Sequence, residues 1–225
     1  MRHIPRFYFE HLNESITLND SQSYHLVRVL RFKEGDECLL FNPIDGEFLC
    51  KVEKITKKNV QVKKVQKIKS FTISRKIALA FCIIKPTNTK LIIEKCTELG
   101  VTDFFPIKSQ YTNNNVDTKK LNLIAISASE QCGRLDIPNI YETQPLDMFL
   151  KSLPSNFVWL SAIEHLETKK ELEVHTENIG IIIGPEGGFS EPEKQLLLEN
   201  TKQIFLSNNI LRSETAAISA ISRVQ

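Results

Sequence analysis

Two loops in the last fifth of the chain carry the residues best suited to chemistry. The first, Gly184–Ser190, reads Gly-Pro-Glu-Gly-Gly-Phe-Ser and follows the apolar run Ile179–Ile183. The second, Leu206–Ala217, contains Arg212 and Glu214, which could stabilise an anion and accept a proton. Taken alone, this pair fits a helix-capping carboxylate beside a surface arginine. Each loop, however, follows a short buried strand and opens a helix, where an open α/β sheet usually binds its ligand.

The glycine-rich loop lacks the spacing of phosphate-binding loops. A dinucleotide fold needs Gly-x-Gly-x-x-Gly and a P-loop needs Gly-Lys-Ser/Thr, and Glu186 would repel a phosphate. Adjacent glycines instead allow positive φ and let backbone groups approach a ligand closely. Ser190 and Glu193 predict a capping box, and therefore a helix that begins there. The sequence thus favours a nucleoside-like cofactor without phosphates.

Composition limits the classes of function. The net charge is +2, so the whole molecule is not a general polyanion binder. The longest apolar run, Ile77–Ile84, is far shorter than the roughly 20 residues that span a bilayer. We expect no membrane span and no signal peptide, which predicts a cytoplasmic protein. The 5 cysteines and 5 histidines follow no disulfide or metal-ligand spacing, which predicts free thiols and no metal.

Positive charge is concentrated between residues 51 and 76. The basic residues there are opposed only by Glu53, and they are Lys51, Lys54, Lys57, Lys58, Lys63, Lys64, Lys67, Lys69, Arg75 and Lys76. Such a surface attracts the phosphates of nucleic acids. Alternatively, these lysines discourage edge pairing along a solvated strand. The sequence favours neither interpretation over the other.

The pattern of elements changes near residue 70. Before it, short alternating strands predict a small meander or barrel over residues 1–70. One helix, capped by Asp20, is expected to place Arg28 and Arg31 on one face. After it, apolar runs alternate with helices, which predicts a largely parallel α/β sheet over residues 71–225.

Boundaries in this second part follow from the apolar runs and the caps. Thr87 or Asn88 is expected to cap a helix that ends at Gly100, and Thr168–Asn178 is expected to be a surface connection. The predicted helix before Gly133 is Leu121–Cys132, and the predicted strands are Ile77–Ile84, Val101–Ile107, Phe157–Leu160, Ile179–Ile183 and Gln203–Leu206.

Taken together, these segments resemble the 16S ribosomal RNA uridine-N3 methyltransferases of the SPOUT superfamily. Gly184–Ser190 and Leu206–Ala216 carry the resemblance most strongly. Ser207 and Asn209 depart from the family's second loop, which usually reads Leu-Gly-x-Arg-Ile-Leu-Arg. The other matching segments, which follow in the family's order, are His25–Arg31 with Gly35–Asp36, Thr97–Val101 with Pro106, and Ser129–Arg134 with Pro138.

The resemblance implies a PUA-like RNA-binding β-barrel at residues 1–70 and a SPOUT methyltransferase domain at residues 71–225, with a C-terminal trefoil knot. It also implies a homodimer whose active site is shared between subunits. The implied cofactor is S-adenosyl-L-methionine, and the implied substrate is the 16S rRNA of the small ribosomal subunit. By the same resemblance, the cofactor would be held by Leu160, Ser161, Ile183, Gly184, Glu186, Gly187, Gly188, Leu206, Ser207, Ile210 and Leu211.

Methylation at N3 of a uridine requires that the imide proton leaves. We expect Arg212 to stabilise the uridine anion or a nearby phosphate, and Glu214 to act as the base. The residues expected to bind RNA phosphates are Arg6, Arg28, Arg31, Lys51 and Arg134. Two alternatives stay open: a SPOUT methyltransferase for another rRNA or tRNA nucleotide, and an RNA-binding assembly protein without catalysis.

Overall fold

The computed structural model describes residues 4–57, 59–72, 75–112, 114–163 and 178–225. The chain divides into two compact units, which are Met1–Thr72 with Ser129–Ile137, and Ile73–Ala128 with Pro138–Gln225. No helix within the described residues is long and apolar enough to cross a membrane. The surface connection expected at Thr168–Asn178 lies outside the described residues, apart from Asn178.

The first unit contains a five-stranded sheet with the order β1-β3-β4-β5-β2. Its strands are β1 Arg6–Tyr8, β2 Ser15–Thr17, β3 Glu37–Asn42, β4 Gly46–Ile55 and β5 Val60–Lys69. The consecutive strands β3, β4 and β5 pair antiparallel, as the predicted meander requires. Asn42 closes the first turn, because its Oδ1 accepts the N–H groups of Ile44 and Asp45, and Gly46 completes the turn at φ +90°.

The helix between β2 and β3 begins one residue earlier than predicted. Helix α1 is Asp20–Tyr24, and its N-cap is Asn19 rather than Asp20. The Asn19 Oδ1 accepts the Gln22 N–H at 2.9 Å, and the Gln22 Oε1 accepts the Asn19 N–H at 3.3 Å. This reciprocal capping box satisfies two backbone donors, and Asp20 in the first turn suits the positive end of the helix.

A π-helical turn, His25–Val29, continues α1. Arg28 lies in this turn, whereas Arg31 lies beyond it with a left-handed φ of +57°. The prediction that Arg28 and Arg31 share one helical face is therefore wrong, because a spacing of three residues brings side chains together only within a continuous α-helix.

The second unit alternates strands and helices. In chain order these are β6 Ile77–Cys82, α2 Pro86–Glu98, β7 Asp103–Lys108, α3 Thr118–Cys132, β8 Asn139–Ile140, β9 Gln144–Pro145, α4 Leu146–Lys151, β10 Val158–Ala162, β11 Ile179–Ile183, α5 Glu191–Asn200, β12 Lys202–Gln203 and α6 Ser213–Val224. The strand order is β12-β10-β11-β6-β7-β8, with β9 beside β7, and every pair is parallel. The predicted parallel sheet is confirmed, and β6 and β11 are buried along their whole length.

Several boundaries in this unit differ from the sequence prediction. The N-cap position of helix α2 is Lys85, which makes no side-chain capping hydrogen bond, rather than Thr87 or Asn88, because Pro86 takes the first helical position, where its missing N–H costs nothing. The last predicted strand, Gln203–Leu206, is instead Lys202–Gln203. The strand expected to end at Leu160 instead continues to Ala162.

One glycine in the centre of the sheet permits close packing of an aromatic ring. A Cβ added to Gly180 in β11 would lie 2.4 Å from Cε3 of Trp159 in β10. The Trp159 ring in turn packs against Phe105 and Phe149 in the core of this unit. These contacts hold β10 and β11 side by side, so their carboxyl ends meet at one edge of the sheet.

Candidate functional site

A cavity of about 760 Å³ opens at the carboxyl ends of β10 and β11. Small-molecule sites usually occupy roughly 300–1,000 Å³ at this position in open α/β sheets. Its walls come from the end of β10 (Ala162 and Ile163), the glycine-rich loop after β11, and the second loop before α6. The lining is mainly apolar side chains and loop backbone, and Lys194 in α5 is the charged residue among the described lining residues.

The structure brings together 8 of the 11 residues predicted to hold a cofactor, since these line the cavity: Ile183, Gly184, Gly187, Gly188, Leu206, Ser207, Ile210 and Leu211. Glu186 is exposed and lies outside the lining. Leu160 and Ser161 are buried within β10, and the Ser161 hydroxyl is 2.8 Å from the Thr201 hydroxyl. The cavity begins one residue later, at Ala162, because β10 is longer than predicted.

Direct contacts join the two loops. The Ser213 hydroxyl at the start of α6 donates a hydrogen bond of 2.5 Å to the Gly184 carbonyl. Gly188, at φ +70°, closes a turn by donating its N–H to the Pro185 carbonyl. A Cβ added to Gly184 would lie 2.9 Å from the Phe189 ring, which packs under the loop. The glycine-rich loop is therefore held from below by Phe189 and from the side by α6.

The predicted capping box at the start of α5 is confirmed. The Glu193 carboxylate accepts the Ser190 N–H and hydroxyl, each at 2.9 Å. It also accepts the Gln110 N–H from the loop after β7, at 2.7 Å. Lys194 follows in the same helical turn, lines the cavity and pairs with Glu191 at 2.6 Å. Sequence reasoning missed Lys194, although its position just after the capping box places it beside the glycine-rich loop.

The second loop is held by an arginine that the sequence analysis also missed. The Arg223 guanidinium, near the end of α6, donates to the Phe205 and Leu206 carbonyls at 2.6 and 2.7 Å. Ser207 accepts the Asn209 N–H on its hydroxyl at 3.0 Å, which forms a local turn. Among the described non-glycine residues only Arg31 has positive φ, so serine at position 207 adopts its backbone conformation without strain.

The two candidate catalytic residues lie together at the start of α6 but do not line the cavity. Arg212 is exposed and occupies the N-cap position, between the lining residues Leu211 and Ser213. Glu214 is only 7% exposed, and its Oε2 has no hydrogen-bond partner among the described residues. A buried carboxylate oxygen without a partner costs free energy, and Oε2 of Glu214 is therefore able to accept a hydrogen bond from a bound ligand.

The structure corrects the assignment of Arg6 as a phosphate-binding residue. Its side chain is 9% exposed, and its Nε donates to Glu47 at 2.7 Å. Its other guanidinium nitrogens donate to the carbonyls of Ser129, Glu130 and Arg134 at 2.9–3.0 Å, and its carbon lies 4.2 Å from the centre of the Phe41 ring. Arg6 joins the sheet of the first unit to residues 129–134, and these contacts, rather than an RNA phosphate, occupy its guanidinium.

Arg134 is similarly engaged. Its guanidinium forms two hydrogen bonds with the Asp136 carboxylate, at 3.1 and 2.6 Å, and its side chain is 13% exposed. The remaining candidates for RNA binding, Arg28, Arg31 and Lys51, are exposed. Lys51 pairs with the partly exposed Glu37 at 3.7 Å, and such surface pairs are weak.

The lysine-rich strands β4 and β5 present most of their charge to solvent. The exposed lysines of these strands are Lys51, Lys54, Lys63, Lys67 and Lys69, whereas Lys58 lies outside the described residues. Lys64 is half-buried, donates to the Leu12 carbonyl at 2.9 Å, and lies 4.6 Å from the centre of the Phe48 ring. Both interpretations of this charge, RNA binding and protection of a strand edge, stay open.

The cysteines are free thiols. Four of them are buried, and burial raises the pKa of the Cys82 thiol to about 12, so these thiols are unreactive near neutral pH. The part of the chain that the structure describes contains no cluster of three or more side chains able to hold a metal ion.

Comparison with known proteins agrees with this architecture. A family model for an RNA methyltransferase domain matches residues 72–225, and one for an RNA methyltransferase PUA domain matches residues 18–65. Ribosomal RNA small subunit methyltransferase E of Rickettsia conorii is 36% identical, over 95% of this chain and 90% of that protein. The namesake from Buchnera aphidicola subsp. Schizaphis graminum is 30% identical, over 100% and 96%.

Two solved structures share the whole fold. A protein from Legionella pneumophila, in complex with the bound cofactor SAM, superposes with a TM-score of 0.89 at 29% identity, covering 99% of this chain and 97% of that one. Ribosomal RNA small subunit methyltransferase E from Neisseria gonorrhoeae, bound to S-adenosyl methionine, gives 0.86 at 25% identity, covering 98% and 96%. The predicted fold class, a PUA-like domain followed by a parallel α/β domain, is confirmed. The chain belongs to the RNA methyltransferase family that includes the ribosomal RNA small subunit methyltransferases E.

Proposed function

We propose that this protein transfers a methyl group from S-adenosylmethionine to N3 of a specific uridine in the 16S rRNA of the small ribosomal subunit. The observation that carries the proposal is the cavity between the two loops, with its apolar and backbone lining. Relatives along the full length are named ribosomal RNA small subunit methyltransferases, and two structural neighbours contain the bound methyl donor. Family membership and cavity chemistry thus support the same reaction.

The lining residues suit this cofactor. The apolar side chains of Ile183, Ile210 and Leu211 can contact an adenosine ring system, and the loop backbone can hydrogen-bond to its polar edge. Lys194 is positioned to pair with the carboxylate of the donor's amino-acid part. Since the cofactor has no phosphates, it needs no Gly-Lys-Ser/Thr loop, and this chain has none around Gly184–Gly188.

The cofactor supplies an activated methyl group, so the protein contributes mainly positioning and charge stabilisation. We assign Arg212 to stabilise the uridine anion or an adjacent phosphate, because it is exposed between two residues that line the cavity. Glu214 is the candidate base, with one carboxylate oxygen free of partners among the described residues. Neither residue lines the cavity, but Arg212 is exposed whereas Glu214 is buried, so we give Arg212 the larger role.

The remaining parts of the proposal concern assembly and RNA binding. We propose a PUA-like domain over residues 1–70 and a methyltransferase domain over residues 71–225 whose C-terminal part forms a trefoil knot. We also propose a cytoplasmic homodimer that shares its active site. The exposed Arg28, Arg31 and Lys51 would contact RNA phosphates, which makes binding depend strongly on salt.

Two measurements test the function. Calorimetry should detect S-adenosylmethionine binding, and nucleotide mapping of small-subunit rRNA from a strain lacking the protein should reveal one missing N3-methyluridine. Adding back the purified protein and the cofactor should restore it. Absence of cofactor binding would favour the RNA-binding assembly protein, and a different missing modification would favour another target nucleotide.

Replacing Arg212 with alanine should lower the rate of methyl transfer by about 10²-fold, the effect of removing one group that stabilises developing charge. The affinity for S-adenosylmethionine should stay unchanged, because Arg212 does not line the cavity. Single-turnover transfer to unmethylated small subunits measures the rate, and calorimetry measures the affinity for the cofactor. Arg212→Lys is the matched variant, and full activity of Arg212→Ala would remove this residue from the mechanism.

A further inference from the structure

Tyr111, in the loop after β7, is a half-exposed aromatic residue beside the glycine-rich loop. A Cβ added to Gly187 would lie 3.6 Å from the Tyr111 Cβ and 3.8 Å from ring atoms Cγ and Cδ2, which is ordinary packing distance. Gly187 itself lines the cavity. One side of Tyr111 therefore packs against the cavity wall, while 49% of the residue stays accessible.

The loop that carries Tyr111 is ordered by hydrogen bonds on both sides of it. Before it, the Gln110 N–H donates to the Glu193 carboxylate at 2.7 Å. After it, the Thr112 N–H donates to the Ser109 carbonyl at 3.0 Å, and the Ser109 N–H donates to the Thr112 hydroxyl at 3.1 Å. Since Glu193 also caps α5, the same carboxylate holds the backbone just before Tyr111 and the end of the glycine-rich loop.

Another exposed tyrosine of this unit shows what a structurally engaged ring looks like. Tyr141 is 43% exposed, but its hydroxyl donates to Asp103 at 3.1 Å and its ring stacks on Phe105, with ring centroids 4.2 Å apart. The Tyr111 hydroxyl has no hydrogen-bond partner, and its ring no aromatic partner, within the described residues. The fold thus leaves an aromatic face free beside Gly187, which itself lines the cavity.

Methylation at N3 of a uridine is helped by an aromatic surface on which the unpaired base can stack. N3 lies on the base-pairing edge, so the target base has to leave its pair and its stack before it reacts. A base stacked on an aromatic side chain recovers the lost stacking, and alanine substitutions of such residues weaken binding by roughly 5- to 150-fold. A base lying on a ring beside Gly187 has its edge next to the cavity that would hold the donor.

We propose that Tyr111 is the stacking platform for the target nucleobase. This inference rests on the proposed methyl transfer and adds the residue that holds the acceptor base. It assigns the substrate side of the site to the loop after β7, which contains none of the predicted site residues. Stacking is tolerant of base identity, so Tyr111 contributes affinity and orientation, and the choice of uridine comes from other contacts.

Three substitutions separate stacking from packing. Tyr111→Phe keeps the ring, Tyr111→Leu keeps an apolar side chain against Gly187 without a π-face, and Tyr111→Ala removes both. We expect kcat/KM for methylation of unmethylated small ribosomal subunits to stay within about twofold for Tyr111→Phe, and to fall roughly 5- to 150-fold for Tyr111→Leu and Tyr111→Ala. Calorimetric affinity for S-adenosylmethionine should be the same in all three variants and the wild type.

Each other outcome has a definite meaning. If Tyr111→Leu is as active as Tyr111→Phe, the ring face is not used and the inference fails while the proposed function stands. If Tyr111→Leu loses cofactor affinity together with activity, Tyr111 only supports the glycine-rich loop and the inference fails again. If the wild-type protein binds the cofactor but methylates no nucleotide of these subunits, the proposed function fails and the inference with it.

Discussion

Replacing Ala216 with phenylalanine should abolish S-adenosylmethionine binding while the chain stays folded. Ala216 lies in the first turn of α6, lines the cavity and is only partly buried, so a larger side chain there points into space that the donor needs. Phenylalanine is tolerated in helices at a small cost, which keeps α6 intact. Calorimetry with the cofactor measures the loss, and circular dichroism checks the fold.

The neighbouring residue provides a matched control for this substitution. Thr215 is exposed and does not line the cavity, so Thr215→Phe introduces the same ring into the same helical turn without filling the site. We expect Thr215→Phe to bind the cofactor as the wild type does. Wild-type affinity in Ala216→Phe would mean that the donor binds elsewhere, and the two-loop cavity would lose its assigned role.

Replacing Arg6 with alanine should lower the free energy of unfolding of the first unit by about 3–5 kcal/mol, the usual cost of breaking a buried ion pair. The substitution leaves the Glu47 carboxylate, whose residue is 3% exposed, without its cation. It also removes the donor to the carbonyls of Ser129, Glu130 and Arg134. Urea denaturation gives the magnitude, and hydrogen exchange in β1 and β4 locates the loss.

An exposed arginine of the same unit serves as the comparison. Arg28→Ala should change the free energy of unfolding by no more than about 0.5 kcal/mol, as surface substitutions usually do, and should instead weaken RNA binding. We therefore expect Arg6→Ala to lower the stability of the first unit and Arg28→Ala to lower the affinity for RNA. A stable Arg6→Ala protein with weakened RNA binding would return Arg6 to the phosphate-binding group.

Local signals made the second half of the fold predictable. The apolar run Ile179–Ile183 is strand β11 with the predicted bounds, because a strand covered on both faces needs such a run. Ser190 and Glu193 marked the start of α5, because a capping box depends on residues only three positions apart. The glycine-rich loop could be recognised as a cavity wall because it directly follows this buried apolar strand.

The predictions that failed concern contacts between residues far apart in the chain. Arg6 lies 41 residues from Glu47 and 123 from Ser129, so no local pattern indicates that its charge is buried. Lys194 lines the cavity and Arg223 holds the second loop, but both lie on helices, and the sequence of these helices predicts only an ordinary solvent-facing surface. The π-helical turn at His25–Val29 has no sequence signature, and it is the reason that the predicted shared face of Arg28 and Arg31 was wrong.

The Glu193 carboxylate gives the two halves of the site a shared mechanical link. It accepts hydrogen bonds from Ser190 at the end of the glycine-rich loop and from Gln110 beside Tyr111. A ligand that moves one of these segments therefore also strains the hydrogen bond that holds the other. If the proposed methyl donor and target base bind on the two sides of this carboxylate, any effect of one on the dissociation constant of the other must be matched by an equal effect of the second on the first.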